Sequence, residues 1–105
     1  MRRNAALIAA LVATAVPAAA QDAAAGRAKA QTCNVCHGPL GVSTAPDTPH
    51  LAGQPAIYLA RQLRAYRSGE RKHEVMAVIA KPLTDAEIDD LATWFASIRI
   101  EAIKP

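Results

Sequence analysis

The sequence has few of the residues that stabilise a large protein core. Its 105 residues include one Trp, two Tyr, one Phe and two Cys, with only five Gly and seven Pro. A chain of this length forms one domain at most, and its Gly and Pro contents are too low for a collagen-like or low-complexity protein. Because 51% of its residues are hydrophobic, it is also too apolar to be intrinsically disordered. The composition therefore predicts one small globular domain.

The N-terminal segment has no charged residue after its first three positions and resembles a secretory signal peptide. Two arginines follow the first methionine, residues 5–16 are almost all apolar or small, and small residues lead up to Ala20. A retained anchor is the alternative, but the apolar run is shorter than the ~20 residues that span a bilayer. We expect export to the periplasm, removal of residues 1–20 near Ala20, no stable membrane insertion, and a domain formed by residues 21–105.

The charge balance gives no support to nucleic-acid binding. The full chain carries a net charge of +3, but residues 21–105 contain 10 basic and 9 acidic residues, a net charge of +1. Nucleic-acid binding needs a strongly basic surface with aromatic side chains for stacking. We therefore expect protein partners.

Both cysteines lie in the segment Cys33-Asn34-Val35-Cys36-His37. This C-x-x-C-H pattern is typical of covalent haem c attachment. Two thiols three residues apart on one helical turn can each add to one haem vinyl group, and the following imidazole then supplies the proximal iron ligand. The motif predicts one haem c, bound through Cys33 and Cys36, with His37 as a metal ligand.

Thiol and zinc chemistry are the alternatives for this cysteine pair. A thioredoxin-like site is normally preceded by a strand, whereas residues 22–32 are alanine-rich and helical in pattern. A structural disulfide also remains open. A zinc site needs four ligands, which Cys33, Cys36, His50 and His73 would supply, but zinc does not explain a histidine directly after the second cysteine.

Helical patterns account for the rest of the chain, and no alternating strand pattern is present. Asp22 is a candidate N-cap, Gly69 a candidate helix end, and Thr84 with Glu87 forms a capping box. The predicted class is all-α, with helices over 23–31, 55–68, 75–80 and from 85 onwards.

The helical periodicity also predicts which side chains face solvent. On the middle helix, the spacing places Ala56, Leu59, Leu63 and Tyr66 on the buried face. It places three arginines and, on the last helix, three aspartates on outer faces: Arg61, Arg64, Arg67, Asp85, Asp89 and Asp90.

Taken in chain order, the predicted helices and the C-x-x-C-H motif resemble the class I cytochromes c over residues 22–99, particularly the short single-haem bacterial members. The segments that carry the resemblance are Cys33–His37, Pro49–Gln54, Tyr58–Gly69 and Leu91–Ser97. The resemblance implies four to five helices around one covalently attached haem, with Gly26 crossing an aromatic residue, Trp94 or Phe95. Ala30 departs from the pattern, because many members have an aromatic residue near that position.

The resemblance also implies the remaining site residues. Met76, the only methionine beyond the leader, takes the place of the second axial ligand, with His73 as its rival, and the Pro49 carbonyl accepts the other N–H of His37. Leu51, Leu59, Leu63 and Ile79 are candidates for the apolar haem wall or, equally, ordinary helix core. Tyr58, Tyr66 and Trp94 are candidate partners of the haem propionates.

Two protein ligands to the iron would leave no open position for small molecules, which favours outer-sphere electron transfer without substrate turnover. The expected partners are redox proteins such as a dehydrogenase, oxidase or reductase, and the chain is a monomer or a small subunit. Two alternatives stay open: a permanently bound haem subunit of a periplasmic dehydrogenase, and a haem-based ligand sensor if Met76 is not coordinated.

Overall fold

The computed structural model describes Met1, residues 7–15 and residues 22–105. Residues 7–15 have no regular secondary structure, and the cleavage site expected near Ala20 lies outside the described residues. The described part contains five α-helices and no strand, in agreement with the all-α prediction: α1 Ala23–Lys29, α2 Gln31–His37, α3 Ala56–Ser68, α4 Glu74–Ala80 and α5 Asp85–Ser97. None of these helices is both long enough and apolar enough to cross a bilayer.

The first predicted helix ends close to the expected position, and a second helix that was not predicted follows it. Asp22 caps α1 as expected, since its carboxylate accepts the N–H of Ala24 at 2.9 Å. Helix α1 ends at Lys29, two residues before the predicted end near Gln31, and α2 begins at Gln31. Ala30, which is fully buried, keeps right-handed dihedral angles between the two helices. The backbone therefore turns helically through both cysteines until Gly38, whose φ of +83° ends α2.

Helices α1 and α5 cross at a glycine, as expected from the family resemblance. A Cβ at Gly26 would overlap the Asp90 carbonyl oxygen and would lie 2.8 Å from the Trp94 Cβ. The Asp90 carboxylate, expected to face solvent, accepts the Asp22 N–H at 2.9 Å instead. The absence of a side chain at Gly26 lets the two backbones come into contact, which brings the start of the chain against the last helix.

Helix α5 supplies more buried core residues than any other helix of the described chain. Its capping box is confirmed: the Thr84 hydroxyl accepts the Glu87 N–H, and the Glu87 carboxylate accepts the Thr84 N–H, both at 3.1 Å. The largest buried side chains of the core then follow along one face of this helix. They are Ile88, Leu91 and Phe95.

The prediction that the arginines of α3 face solvent is wrong for two of the three. Arg64 contacts Asp89 at 2.9 Å, and Arg67 contacts Asp85 at 2.6 Å and donates to the Leu83 carbonyl at 3.0 Å. Because α3 packs against α5, the side chains beside its apolar stripe lie at the helix interface, and arginine reaches across it. These ion pairs tie the middle helix to the last one, while Arg61 stays exposed.

Candidate haem-binding site

The site is centred on His37, the last residue of α2. Its imidazole is 8% exposed, and its Nδ1 lies 2.8 Å from the Pro49 carbonyl oxygen. A carbonyl oxygen only accepts, so Nδ1 carries the hydrogen and Nε2 keeps its lone pair for a metal ion. The hydrogen bond expected from the resemblance is present, and it fixes the orientation of the ring.

The loop that carries Pro49 is held in place by backbone hydrogen bonds. The Gly41 carbonyl accepts the N–H groups of Leu51 at 2.8 Å and Ala52 at 3.1 Å, and the Phe95 carbonyl accepts that of Gly53 at 2.9 Å. Gly41 has a φ of +71°, and a Cβ there would lie 2.8 Å from the Phe95 ring. The sequence does not single out Gly41 as a residue of the site, because its close contact with Phe95 joins residues that are far apart along the chain.

The two cysteines are free thiols on the same helix as His37. Cys36 is exposed, whereas Cys33 is half-buried against the core, and this burial raises the pKa of its thiol. A disulfide is therefore absent from this pair. Two free thiols separated by one helical turn, with an oriented imidazole next to the second, match what addition to two vinyl groups requires.

The zinc alternative receives no support from the geometry. In the part of the chain that the structure describes, no three His, Cys, Asp or Glu side chains form a metal-binding group. His50 Nδ1 accepts the Ser43 N–H at 2.8 Å, and His73 Nδ1 accepts the Met76 N–H at 3.2 Å. Both histidines therefore use a ring nitrogen to bind backbone near their own positions.

The second candidate ligand, Met76, lies in the first turn of α4. His73 is the N-cap of this helix, and its ring packs edge-on against Tyr66 with the centroids 6.4 Å apart. His73, the alternative axial ligand, thus caps the start of α4. The position of this helix start in turn sets the direction in which the Met76 side chain points. Met76 is half-buried beside the fully buried Ala80, one helical turn further on.

Around Met76 the protein leaves apolar surface uncovered. Every residue of α4 after Glu74 is apolar, yet Val75 is 54% exposed and Ile79 is 40% exposed. These two residues are one turn apart, and Ile79 also lies one turn beyond Met76 on the same side of the helix. A flat apolar group lying against this face would bury side chains that the chain itself leaves in water, which is what a haem does.

The other predicted wall and propionate residues have different surroundings. Leu59 is buried in the main core, and Leu51 and Leu63 pack against that core. Tyr58 is 45% exposed, the Tyr66 ring lies 4.7 Å from the Arg71 guanidinium, and the Trp94 ring lies 5.5 Å from that of Arg27. Contacts between these leucine and aromatic side chains and a haem stay predictions. The free thiols, the oriented imidazole and the apolar face of α4 together fit haem c.

Comparisons with known proteins identify the family. The cytochrome c family model matches residues 23–99, so this chain belongs to the cytochrome c family, whose members bind haem c covalently. It is 46% identical over 79 residues to cytochrome c4 of Pseudomonas aeruginosa, covering 75% of this chain and 39% of the relative. It is 44% identical over 81 residues to cytochrome c-554(548) of Halomonas halodenitrificans, covering 74% of this chain and 98% of the relative.

A solved structure has the same fold. The chain superposes on a thiosulfate dehydrogenase from Marichromatium purpuratum with a TM-score of 0.70 and 41% identity, covering 79% of this chain and 20% of that one. The chain thus spans about two fifths of the length of the cytochrome c4 relative and nearly all of cytochrome c-554(548). The fold predicted from the resemblance is confirmed.

Proposed function

We propose that this chain is a periplasmic carrier of single electrons. It would hold one haem c through Cys33 and Cys36, with His37 and Met76 as the axial ligands, after removal of residues 1–20. The bound haem supplies one-electron redox chemistry at its iron. The observation that carries the proposal is the 2.8 Å hydrogen bond from His37 to the Pro49 carbonyl, directly next to the two free thiols.

The protein residues would set the reduction potential and exclude water. The Pro49 carbonyl holds the His37 ring in one orientation and raises the basicity of its other nitrogen. The Met76 thioether favours the reduced iron, so the potential should be higher than with two histidines. We propose that this chain has no substrate turnover of its own. The adjacent residues His73 and Glu74 could act as an acid–base pair, but they form the start of α4, with His73 as its N-cap.

The first test is the mass of the protein produced with a haem-attachment system in an exporting host. The proposal expects the mass of residues 21–105 plus one haem. A colourless product with only the peptide mass would refute covalent attachment, and a haem protein that retains residues 1–20 would refute the cleavage alone.

Met76→Ala tests the second ligand. The oxidised wild-type protein should show the weak far-red sulfur-to-iron absorption band of His/Met haem, and the variant should lose this band and have a lower potential. Val75→Ala, a substitution at the neighbouring residue of α4, should keep the band. If the band survives in Met76→Ala, or disappears only in His73→Ala, Met76 is not the ligand.

The structure of α4 also bears on the sensor alternative. A sensor needs an open iron position, so its reduced form should bind carbon monoxide readily, whereas a His/Met site should resist it. Since Met76 lies on the apolar helix α4, one turn before the exposed Ile79, we propose that it closes this position. Ready binding of carbon monoxide by the wild-type protein would favour the sensor instead.

For the partner, we propose a dehydrogenase of the thiosulfate-oxidising kind. The support is the 41% identity to part of a thiosulfate dehydrogenase. Such an enzyme, supplied with thiosulfate, should reduce the purified protein, and its heat-inactivated form should not. The same similarity favours a second candidate function, a permanent subunit of such an enzyme, which predicts a stable stoichiometric complex in gel filtration rather than brief encounters.

A further inference from the structure

The segment carrying the Pro49 carbonyl is joined to the segment following the cysteines at four consecutive positions. Three of these hydrogen bonds involve backbone groups of residues 49, 51 and 52, and the fourth uses the side chain of residue 50. The pairs are Pro49 O with His37 Nδ1, His50 Nδ1 with Ser43 N, Leu51 N with Gly41 O, and Ala52 N with Gly41 O. Within residues 49–52, His50 is thus the only residue that contributes its side chain to this row of hydrogen bonds, whereas the other three contribute backbone groups.

The bond of His50 satisfies a backbone donor of a buried residue. Ser43 is 8% exposed, and its N–H donates to His50 Nδ1 at 2.8 Å. The Ser43 hydroxyl is engaged elsewhere, with the carbonyl and the N–H of Ala45 at 3.3 and 3.1 Å. His50 itself is exposed, so its role at this position is the hydrogen bond rather than the filling of core volume.

We propose that His50 is a positioning residue for the axial histidine, and this proposal rests on the proposed function above. By accepting the Ser43 N–H, the imidazole of His50 holds the preceding residue, Pro49, at hydrogen-bond distance from the ring of His37. His50 therefore acts on the reduction potential without contacting the iron or its ligands.

The direction of the effect follows from the hydrogen bonds. Without the His50 ring, the Ser43 N–H loses its acceptor and the segment must shift to recover one or admit water. The Pro49 carbonyl then binds the His37 Nδ1–H less well, and the opposite ring nitrogen becomes a weaker base. When the donor weakens, oxidised iron loses more stabilisation than reduced iron. The reduction potential therefore rises.

Three variants of the haem-loaded protein separate this role from a general effect on the loop. His50→Ala removes the acceptor. His50→Asn restores it, because the Asn Oδ1 occupies the position of the imidazole Nδ1 and cannot be protonated near neutral pH. Ser43→Ala is the matched control, because it removes the buried hydroxyl and keeps the backbone N–H that donates to His50. The wild-type protein and all three variants are measured at the same pH.

Two properties are measured for each protein: the reduction potential, and the exchange rate of the His37 Nδ1 proton by NMR. His50→Ala should increase the reduced-to-oxidised ratio at a fixed applied potential by up to about tenfold, or ~59 mV for one electron, and should speed exchange. His50→Asn and Ser43→Ala should match the wild-type protein in both.

Three outcomes overturn the proposal. The first is an unchanged potential in His50→Ala, and the second is a change that His50→Asn reproduces in full. The third is a raised potential with no change in exchange of the His37 proton, since the effect would then bypass the Pro49 bond. Failure of the proposed function is recognised separately, because the wild-type protein would then lack covalent haem or the His/Met absorption band.

Discussion

The close crossing of α1 and α5 makes a testable prediction about Gly26. A methyl group at this position overlaps the backbone carbonyl of Asp90 and approaches the Trp94 Cβ to 2.8 Å. Neither neighbour is the flexible end of a side chain, so the helices must separate. Overpacking of this kind costs about 3 kcal/mol at the upper end of its usual range, and the better helix propensity of alanine returns ~1 kcal/mol.

Gly26→Ala should therefore lower the free energy of unfolding by about 2 kcal/mol, some 30-fold in the unfolding equilibrium constant. The measurement is guanidinium unfolding of the haem-loaded protein, followed by far-ultraviolet circular dichroism. Ala28→Gly, an exposed position on the same helix, measures the propensity contribution separately and should destabilise by ~1 kcal/mol. If Gly26→Ala is neutral or stabilising, the two backbones do not make the contact that the structure shows.

Two further predictions concern the polar groups of α5. Thr84→Ala removes the N-cap hydroxyl that accepts the Glu87 N–H and should lower the free energy of unfolding by about 1 kcal/mol. Thr44→Ala, in an exposed loop, is the control and should change the free energy of unfolding little. Hydrogen bonds from Arg67 and Lys29 lower the pKa values of the Asp85 and Glu87 carboxyls, respectively. Because both values are depressed on folding, the stabilisation is complete above their ordinary range and is lost as the pH falls below about 4 through the lowered values. Unfolding measured from pH 6 to pH 3 should show this loss, and Asp85→Asn should flatten the curve; an equally steep curve for this variant would contradict the assignment.

Local hydrogen-bonding rules were sufficient to predict most helix ends. Asp22 and the Thr84–Glu87 box start helices through side chains two or three residues from their partners, and Gly69 ends α3 because its φ of +85° favours glycine. The start of α2 at Gln31 was not predicted, because Ala30 provides no side-chain cap. The chain keeps right-handed helical angles across the buried Ala30, so α2 follows α1 with a single residue between them.

The surroundings of the charged residues were not predictable in this way. Periodicity placed Arg64 and Arg67 on an outer face, but their partners lie 25 and 18 residues away on α5. The same limit applies to His50, which was weighed only as a metal ligand. Its acceptor role depends on the fold of the loop that brings Ser43 under its ring.

The sequence by itself determined the order and class of the helices, their caps, and the grouping of two thiols and an imidazole on a single turn. These features depend on residues a few positions apart, whose geometry the backbone sets. Only the tertiary structure decided that the Pro49 carbonyl orients His37, that Gly26 lies against Asp90, and that α4 exposes apolar surface beside Met76. Those contacts join residues distant along the chain, and they exist only because burial of the α5 face brings the segments together.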